Sequence, residues 1–172
     1  MHLQLRTCVI RSFVEGDAAS IARYANNRKV WLNLRDFFPH PYQLEDAVSF
    51  IRMVIGQNPV MNAAIVRDSE AIGCIGIRMG EDVHRKTAEL GYWLAEPFWG
   101  QGIMSEAVHE FTRYAFQAFD LVRIYAQPFA ENGASARVLE KAGFTCEGRL
   151  RANVIKDGKV LDTLLFARVE RV

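Results

Sequence analysis

The ten residues Pro97-Phe-Trp-Gly-Gln-Gly-Ile-Met-Ser-Glu106 constrain this chain more than any other stretch. They join a strand-like run, Glu89-Leu-Gly-Tyr-Trp-Leu94, to an amphipathic stretch that opens at about Gly102. A strand stopped by a proline, turned through glycines and passed into a helix leaves several backbone N–H groups that the helix itself cannot satisfy. The positive end of the helix dipole adds to those amides, so such a turn is a cradle for a phosphate or pyrophosphate. Glycines before a helix also make plain tight turns, and the turn alone does not separate the two readings.

Hydrophobic periodicity orders the rest of the chain. Leu3 to Phe13 alternates as one opening strand, and Gly16-Asp17 offers an N-cap for a helix through about Asn26. A second helical stretch covers about Arg28 to Leu34, and Pro39 and Pro41 hold an extended loop after it. Ala47, Val48, Ile51, Val54 and Ile55 recur at helical spacing from about Leu44, and Gly56 and Pro59 end that helix. Met61 to Val66 and Ile72 to Met79 flank the polar turn Arg67-Asp-Ser-Glu70 as a hairpin, and Thr87 to Ala95 is the strand that feeds the glycine turn. The helix from Gly102 to about Phe119 places Ile103, Ala107, Phe111, Tyr114, Ala115 and Ala118 on one face. Val122 to Pro128 is a short strand, Ser135 to Ala142 a helix closed at Gly143, and Phe144 to Ile155 with Val160 to Val169 a last hairpin turned at Asp157-Gly158. This order gives a mixed α/β sandwich rather than a doubly wound fold.

Bulk properties exclude several classes. A length of 172 residues, half of them hydrophobic, suits a single domain over 1–172 with one sizeable core. Lys plus Arg number 21 against 20 for Asp plus Glu, so no broad attraction to nucleic acid or an anionic membrane is expected. The N-terminus lacks a charged region followed by a long apolar stretch, and no run of roughly eighteen apolar residues occurs, which together read as a cytoplasmic protein. Cys8, Cys74 and Cys146 are odd in number and far apart, two of them in apolar runs, which reads as reduced, buried thiols and no metal site.

A second segment gives the glycine turn its meaning. Asn132-Gly-Ala-Ser-Ala-Arg-Val-Leu-Glu-Lys-Ala-Gly-Phe144 follows about thirty residues after Gly102. In this order the two blocks resemble the acetyl-CoA-binding and catalytic motifs of the GNAT superfamily of N-acetyltransferases. Phe98-Trp99-Gly100-Gln101-Gly102 leading to Ser105-Glu106-Ala107 is similar to the branch that contains the ribosomal-protein alanine N-acetyltransferases. Trp99 and Met104 depart from the superfamily's general loop pattern, and Met104 stands where a small residue is usual. Asn26-Asn27, the Phe38 to Tyr42 loop, Glu147-Gly148 and Asp162 echo the same branch, so the resemblance covers nearly the whole chain.

The resemblance implies a GNAT fold, with a mixed, mostly antiparallel central sheet flanked by helices, and acetyl-CoA as co-substrate. It implies that backbone groups of Tyr92, Trp93 and Leu94 bind the pantetheine arm as a pseudo-strand. It implies that the amides of Gly100, Gln101, Gly102, Ile103, Met104 and Ser105 hold the pyrophosphate. Glu89 is the base it points to, directly or through water; the other reading of Glu89 is an ion-pair partner of Arg85 or Lys86. Asn132 and Ser135 occupy the Asn-x-x-Ser positions, for catalysis and cofactor contact, or as helix caps. In many relatives a tyrosine seven residues after that asparagine protonates the leaving sulfur; here the position is Leu139, and Ser135 inherits the role.

The acceptor implied is a primary amine, most readily a peptide or protein N-terminal α-amine. An α-amine of pKa roughly 7.7–8.0 is already about a tenth neutral at pH 7, whereas a lysine amine near 10.4 is neutral less than about one time in a thousand. A small-molecule amine, such as a polyamine or an antibiotic-like compound, and a non-catalytic acyl-CoA sensor are the alternatives. A homodimer stays open. Trp31, Phe37, Phe38, His40 and Tyr42 fall where relatives overhang the acceptor channel. A nucleotide hydrolase lacks its Lys-Ser/Thr after the glycines, and a serine hydrolase lacks its Gly-x-Ser-x-Gly elbow.

Overall fold

The computed structural model describes residues 1–170. In chain order its elements are β1 (His2–Gln4), β2 (Val9–Ser12), α1 (Ala18–Ala25), α2 (Arg28–Trp31), α3 (Leu44–Val54), β3 (Asn62–Arg67), β4 (Glu70–Met79) and β5 (Thr87–Leu94). They continue with α4 (Ile103–Phe119), β6 (Arg123–Ala126), α5 (Gly133–Lys141), β7 (Thr145–Lys156) and β8 (Lys159–Val169). The eight strands form one sheet in the order β1-β2-β3-β4-β5-β6-β8-β7. Only β5 and β6 run parallel; every other neighbouring pair is antiparallel. The fold is therefore the mixed, mostly antiparallel α/β sheet flanked by helices that the resemblance implies.

Both faces of the sheet are covered. Ile10, Ile65, Ile75, Ile103, Phe111, Ile124, Leu139 and Phe166 pack one core on the side of α4 and α5. Phe13, Ile21, Ala47, Ile51, Ala64, Val66 and Cys74 pack a second on the side of α1 and α3. Strand β4 is buried without interruption from Ala71 to Ile77 because helices lie against both of its faces. On α4, Ile103, Ala107, Phe111 and Ala115 are buried as the periodicity predicts, with Tyr114 and Ala118 at the margin.

Three local expectations are corrected. The single strand expected from Leu3 to Phe13 is two strands, because the chain turns where the Leu5 N–H donates to the Cys8 carbonyl at 2.9 Å. The turn is held from α4: Glu106 accepts from the Arg6 and Thr7 amides at 2.9 and 3.2 Å and from the Thr7 hydroxyl at 2.5 Å. Alternation within a short segment cannot reveal a partner a hundred residues away. Asp17 does not cap α1 with its side chain; its buried carboxylate takes both arms of the Arg11 guanidinium at 2.7 Å and the Val14 amide at 2.9 Å. The helix expected over Arg28 to Leu34 keeps α-helical form only to Trp31 and ends in a turn. The last hairpin turns at Asp157 and Gly158, whose φ values of 52° and 74° are the left-handed pair such two-residue turns require.

Candidate active site

Strands β5 and β6 begin side by side and then part. Their pairing runs from Thr87↔Arg123 to Glu89↔Tyr125 and stops, while β6 stays on β8 as far as Ala126↔Phe166. The direction of the free main chain follows from the ladder. Ala95 donates to Ile72 at 2.8 Å, and Trp93 stands opposite Cys74, so alternation turns the backbone groups of Gly91, Trp93 and Ala95 toward β4. Those of Leu90, Tyr92 and Leu94 face the gap. Trp93, expected to bind the arm with its main chain, is thus engaged on the other edge. The Leu94 carbonyl already accepts the Trp99 indole N–H at 2.7 Å, a bond that ties the strand end to the glycine turn.

At that turn Gly100 and Gly102 have φ of 74° and 79°, conformations that side chains with a Cβ disfavour. A Cβ at either would meet nothing within 4 Å, so their outer side is open space. Trp99 donates to Glu96, and Glu106 donates to Gly102, but among the described residues the six amides from Gly100 to Ser105 donate to no protein acceptor. Six amides without partners at the start of a 17-residue helix suit an anionic group. This arrangement fits the diphosphate of coenzyme A. The Met104 side chain, the oddity of the loop, is buried in the core and leaves its amide on the turn. The Gln101 side chain spans from the Pro97 carbonyl, to which it donates at 3.0 Å, to Arg67, from which it accepts at 2.7 Å.

Across the gap stands the start of α5. Asn132 Oδ1 accepts the Ser135 amide at 3.0 Å, so Asn132 is the helix cap. The Ser135 Oγ lies 2.7 Å from the Tyr92 hydroxyl. Burial pushes the Tyr92 phenol up to about 12, against the pull of its bond to Ser135. Leu139 is fully buried among apolar side chains. The Tyr92 side chain is a site feature that sequence reading missed; alternation along β5 put it on the α4 and α5 face, but only the fold supplies Ser135 as its partner.

Glu89 is the last residue of β5 paired with β6, at the edge of the gap. Its oxygens accept from Arg35 and, at 2.6 Å, from Arg78; Arg85 and Lys86, the partners considered from sequence, are elsewhere, with Lys86 on Asp120 at 2.6 Å and Arg85 on the Asp82 carbonyl at 3.2 Å. The Glu89 side chain is 12% exposed. Glu89, Tyr92, Gly100, Met104, Asn132 and Ser135 line one open cleft of about 980 Å³, which also reaches Phe37, Phe38 and Tyr42. Burial pushes the Tyr42 hydroxyl and the Cys74 thiol up to about 12 as well. His40 is exposed and stacks on Trp31 at 5.5 Å between centroids, outside the cleft lining. No group of three or more His, Cys, Asp or Glu residues able to hold a metal occurs among the described residues. No helix among them is long and apolar enough to cross a membrane.

A profile of the acetyltransferase (GNAT) domain matches residues 8–145. The chain belongs to the GNAT acetyltransferase family, and its class is that of the acetyl-CoA-dependent N-acetyltransferases. Within that class, it is 39% identical over 101 residues to the uncharacterized N-acetyltransferase YoaA of Bacillus subtilis, 59% of this chain and 56% of that protein. It is 34% identical over 105 residues to the ribosomal-protein-serine acetyltransferase of Escherichia coli, 61% of this chain and 58% of that protein. The match thus spans less than two thirds of either relative. The fold superposes with a TM-score of 0.85, over 98% of both chains at 23% identity, on RimL, a ribosomal L7/L12 α-N-protein acetyltransferase in complex with coenzyme A.

Proposed function

We propose that residues 1–172 act as one acetyltransferase domain that moves an acetyl group from acetyl-CoA to the α-amine of a peptide or protein N-terminus by direct attack. The observation that carries the reading is the strand gap beside Glu89 continued by six unpartnered amides at the start of α4. In this reading the main-chain groups of Tyr92 and the Leu94 N–H bind the arm, and the amides of Gly100, Gln101, Gly102, Ile103, Met104 and Ser105 hold the diphosphate. Acetyl-CoA supplies the activated acyl group. Asn132 sets the start of α5, and Ser135 faces the departing sulfur.

The state of Glu89 favours an α-amine acceptor. Both of its oxygens already accept guanidinium hydrogen bonds, so it serves best by drawing a proton through water from an amine that is fractionally neutral at pH 7. The ribosomal-protein-serine acetyltransferase relative supports the same acceptor class. The test is thiol release and product mass with acetyl-CoA and three acceptor sets: peptides with free N-terminal serine or alanine, N-terminally blocked lysine peptides, and polyamines. Turnover is expected with the first set. Release with polyamines or blocked lysine peptides alone overturns the acceptor, and stoichiometric coenzyme A binding without release to any acceptor identifies a non-catalytic module.

A further inference from the structure

Ser135 Oγ is a side-chain polar atom on the cleft wall whose hydrogen bond comes from another element, β5. The serine is fixed on α5 by the Asn132 cap, and the Tyr92 hydroxyl reaches it from β5 at 2.7 Å, with a longer 3.4 Å approach to the Ser135 carbonyl. Tyr92 and Ser135 both line the cleft, on the side where β5 and β6 have parted. Either hydroxyl can donate in the short bond, and the greater acidity of the phenol favours Tyr92 as its donor. A phenol is the better donor and an alkyl hydroxyl the better acceptor, and each hydroxyl has a single hydrogen to give. If the phenol hydrogen lies on Ser135 Oγ, the serine hydrogen is left for a third group. Burial keeps the phenol protonated, which preserves that sense across the range in which amines are acetylated.

We propose that Tyr92 is a positioning residue of the transfer reaction, donating to Ser135 Oγ so that the serine O–H is turned into the cleft to meet the departing thiolate. The inference rests on the function proposed above and assigns a role to a side chain that reading treats as backbone alone. When the C–S bond breaks, its electron pair goes to sulfur, and the serine hydrogen bond stabilises the resulting thiolate. The proton that completes the thiol comes from solvent, so both hydroxyls keep their own and the sequence balances. A thiolate whose free pKa is about 8.5 leaves without full protonation, and orientation of one donor is sufficient help.

Three variants test this: Tyr92→Phe, Ser135→Ala and the two combined. Phenylalanine keeps the ring volume, and Ser135 is only half-buried, so the fold is retained, as a thermal melt would verify. Tyr92→Phe is expected to lower kcat about tenfold, with the KM for acetyl-CoA and the calorimetric Kd for coenzyme A in the absence of acceptor both within about twofold of wild type. Ser135→Ala lowers kcat at least as far, and adding Tyr92→Phe to it changes kcat by less than about twofold, since the bond it removes is already gone. A Tyr92→Phe kcat within about twofold of wild type, or losses that multiply in the double variant, overturns the inference while leaving the proposed function standing. Failure of the wild-type protein to bind coenzyme A overturns both.

Discussion

At the residue scale, two positions at the start of α4 each hold a turn. Gly102 is held at φ 79° with open space where a Cβ would point. Gly102→Ala therefore costs only the left-handed backbone, about 1–2 kcal/mol, or some 2–4 °C of Tm per kcal/mol. Its methyl stands where an anion would approach, so calorimetry is expected to show coenzyme A affinity falling at least about tenfold, out of proportion to the melt. Glu106, in the first turn of α4, holds a different turn with its side chain, the one between β1 and β2. Burial pushes its carboxyl up, but the Thr7 hydroxyl and the Arg6 and Thr7 amides outweigh that and hold it below the usual carboxylate range. A carboxyl lowered by folding contributes stability above its unfolded pKa, about 4.3, and loses that contribution as pH falls through the folded value. Urea titration of Glu106→Gln is expected to show a loss of about 1–2 kcal/mol at pH 7 that fades below about pH 4. An equal deficit at both pH values would mean that shape, not charge, holds the β1–β2 turn.

At the scale of elements, the tip of the last hairpin docks on the opposite side of the cleft. Lys156 is 2% exposed, with Nζ 2.7 Å from Asp36 and 3.5 Å from the centre of the Trp31 ring. Arg28 reaches Asp157 at 2.7 Å beside it. These contacts tie β7 and β8 to α2 and to the loop that carries Arg35 and Phe38. Asp36 is 69% exposed, so removing the lysine strands no buried charge, and the loss is that of a desolvated cation–π contact and its packing, about 1–3 kcal/mol. For Lys156→Ala, hydrogen exchange is expected to quicken at least about tenfold in residues 31–38 and 154–158 and to stay unchanged in α4 and β4. Quickening spread evenly over the sheet would deny that the tip is a local clasp.

At the scale of the molecule, the two cores either side of the sheet decide which groups meet solvent. Cys8 and Cys74 are buried and Cys146 is exposed, so a thiol reagent is expected to titrate one equivalent in the native protein and three in denaturant. Burial also raises Tyr42, Tyr92 and Cys74 to about 12. Groups so raised contribute fully below their unfolded pKa values, about 8.5 for the thiol and about 10 for the phenols, and lose stability as pH climbs toward 12. Denaturant midpoints are accordingly expected to decline above about pH 9.

Much of this was legible in the chain itself. Glycines at 100 and 102 between a strand and an amphipathic helix announce a row of free amides, because backbone geometry and helix ends are local matters. Asn132 immediately ahead of a short amphipathic helix announces a cap for the same reason, as Asp157-Gly158 announces a hairpin. Contacts between distant segments had no such trace. The break at Leu5 depends on Glu106, the guanidiniums on Glu89 come from Arg35 and Arg78, and the parity that turns Tyr92 and Leu94 to the gap while Trp93 faces β4 is set by register. Each rests on a partner brought close by packing, and packing is a property of the folded whole that no window of residues contains.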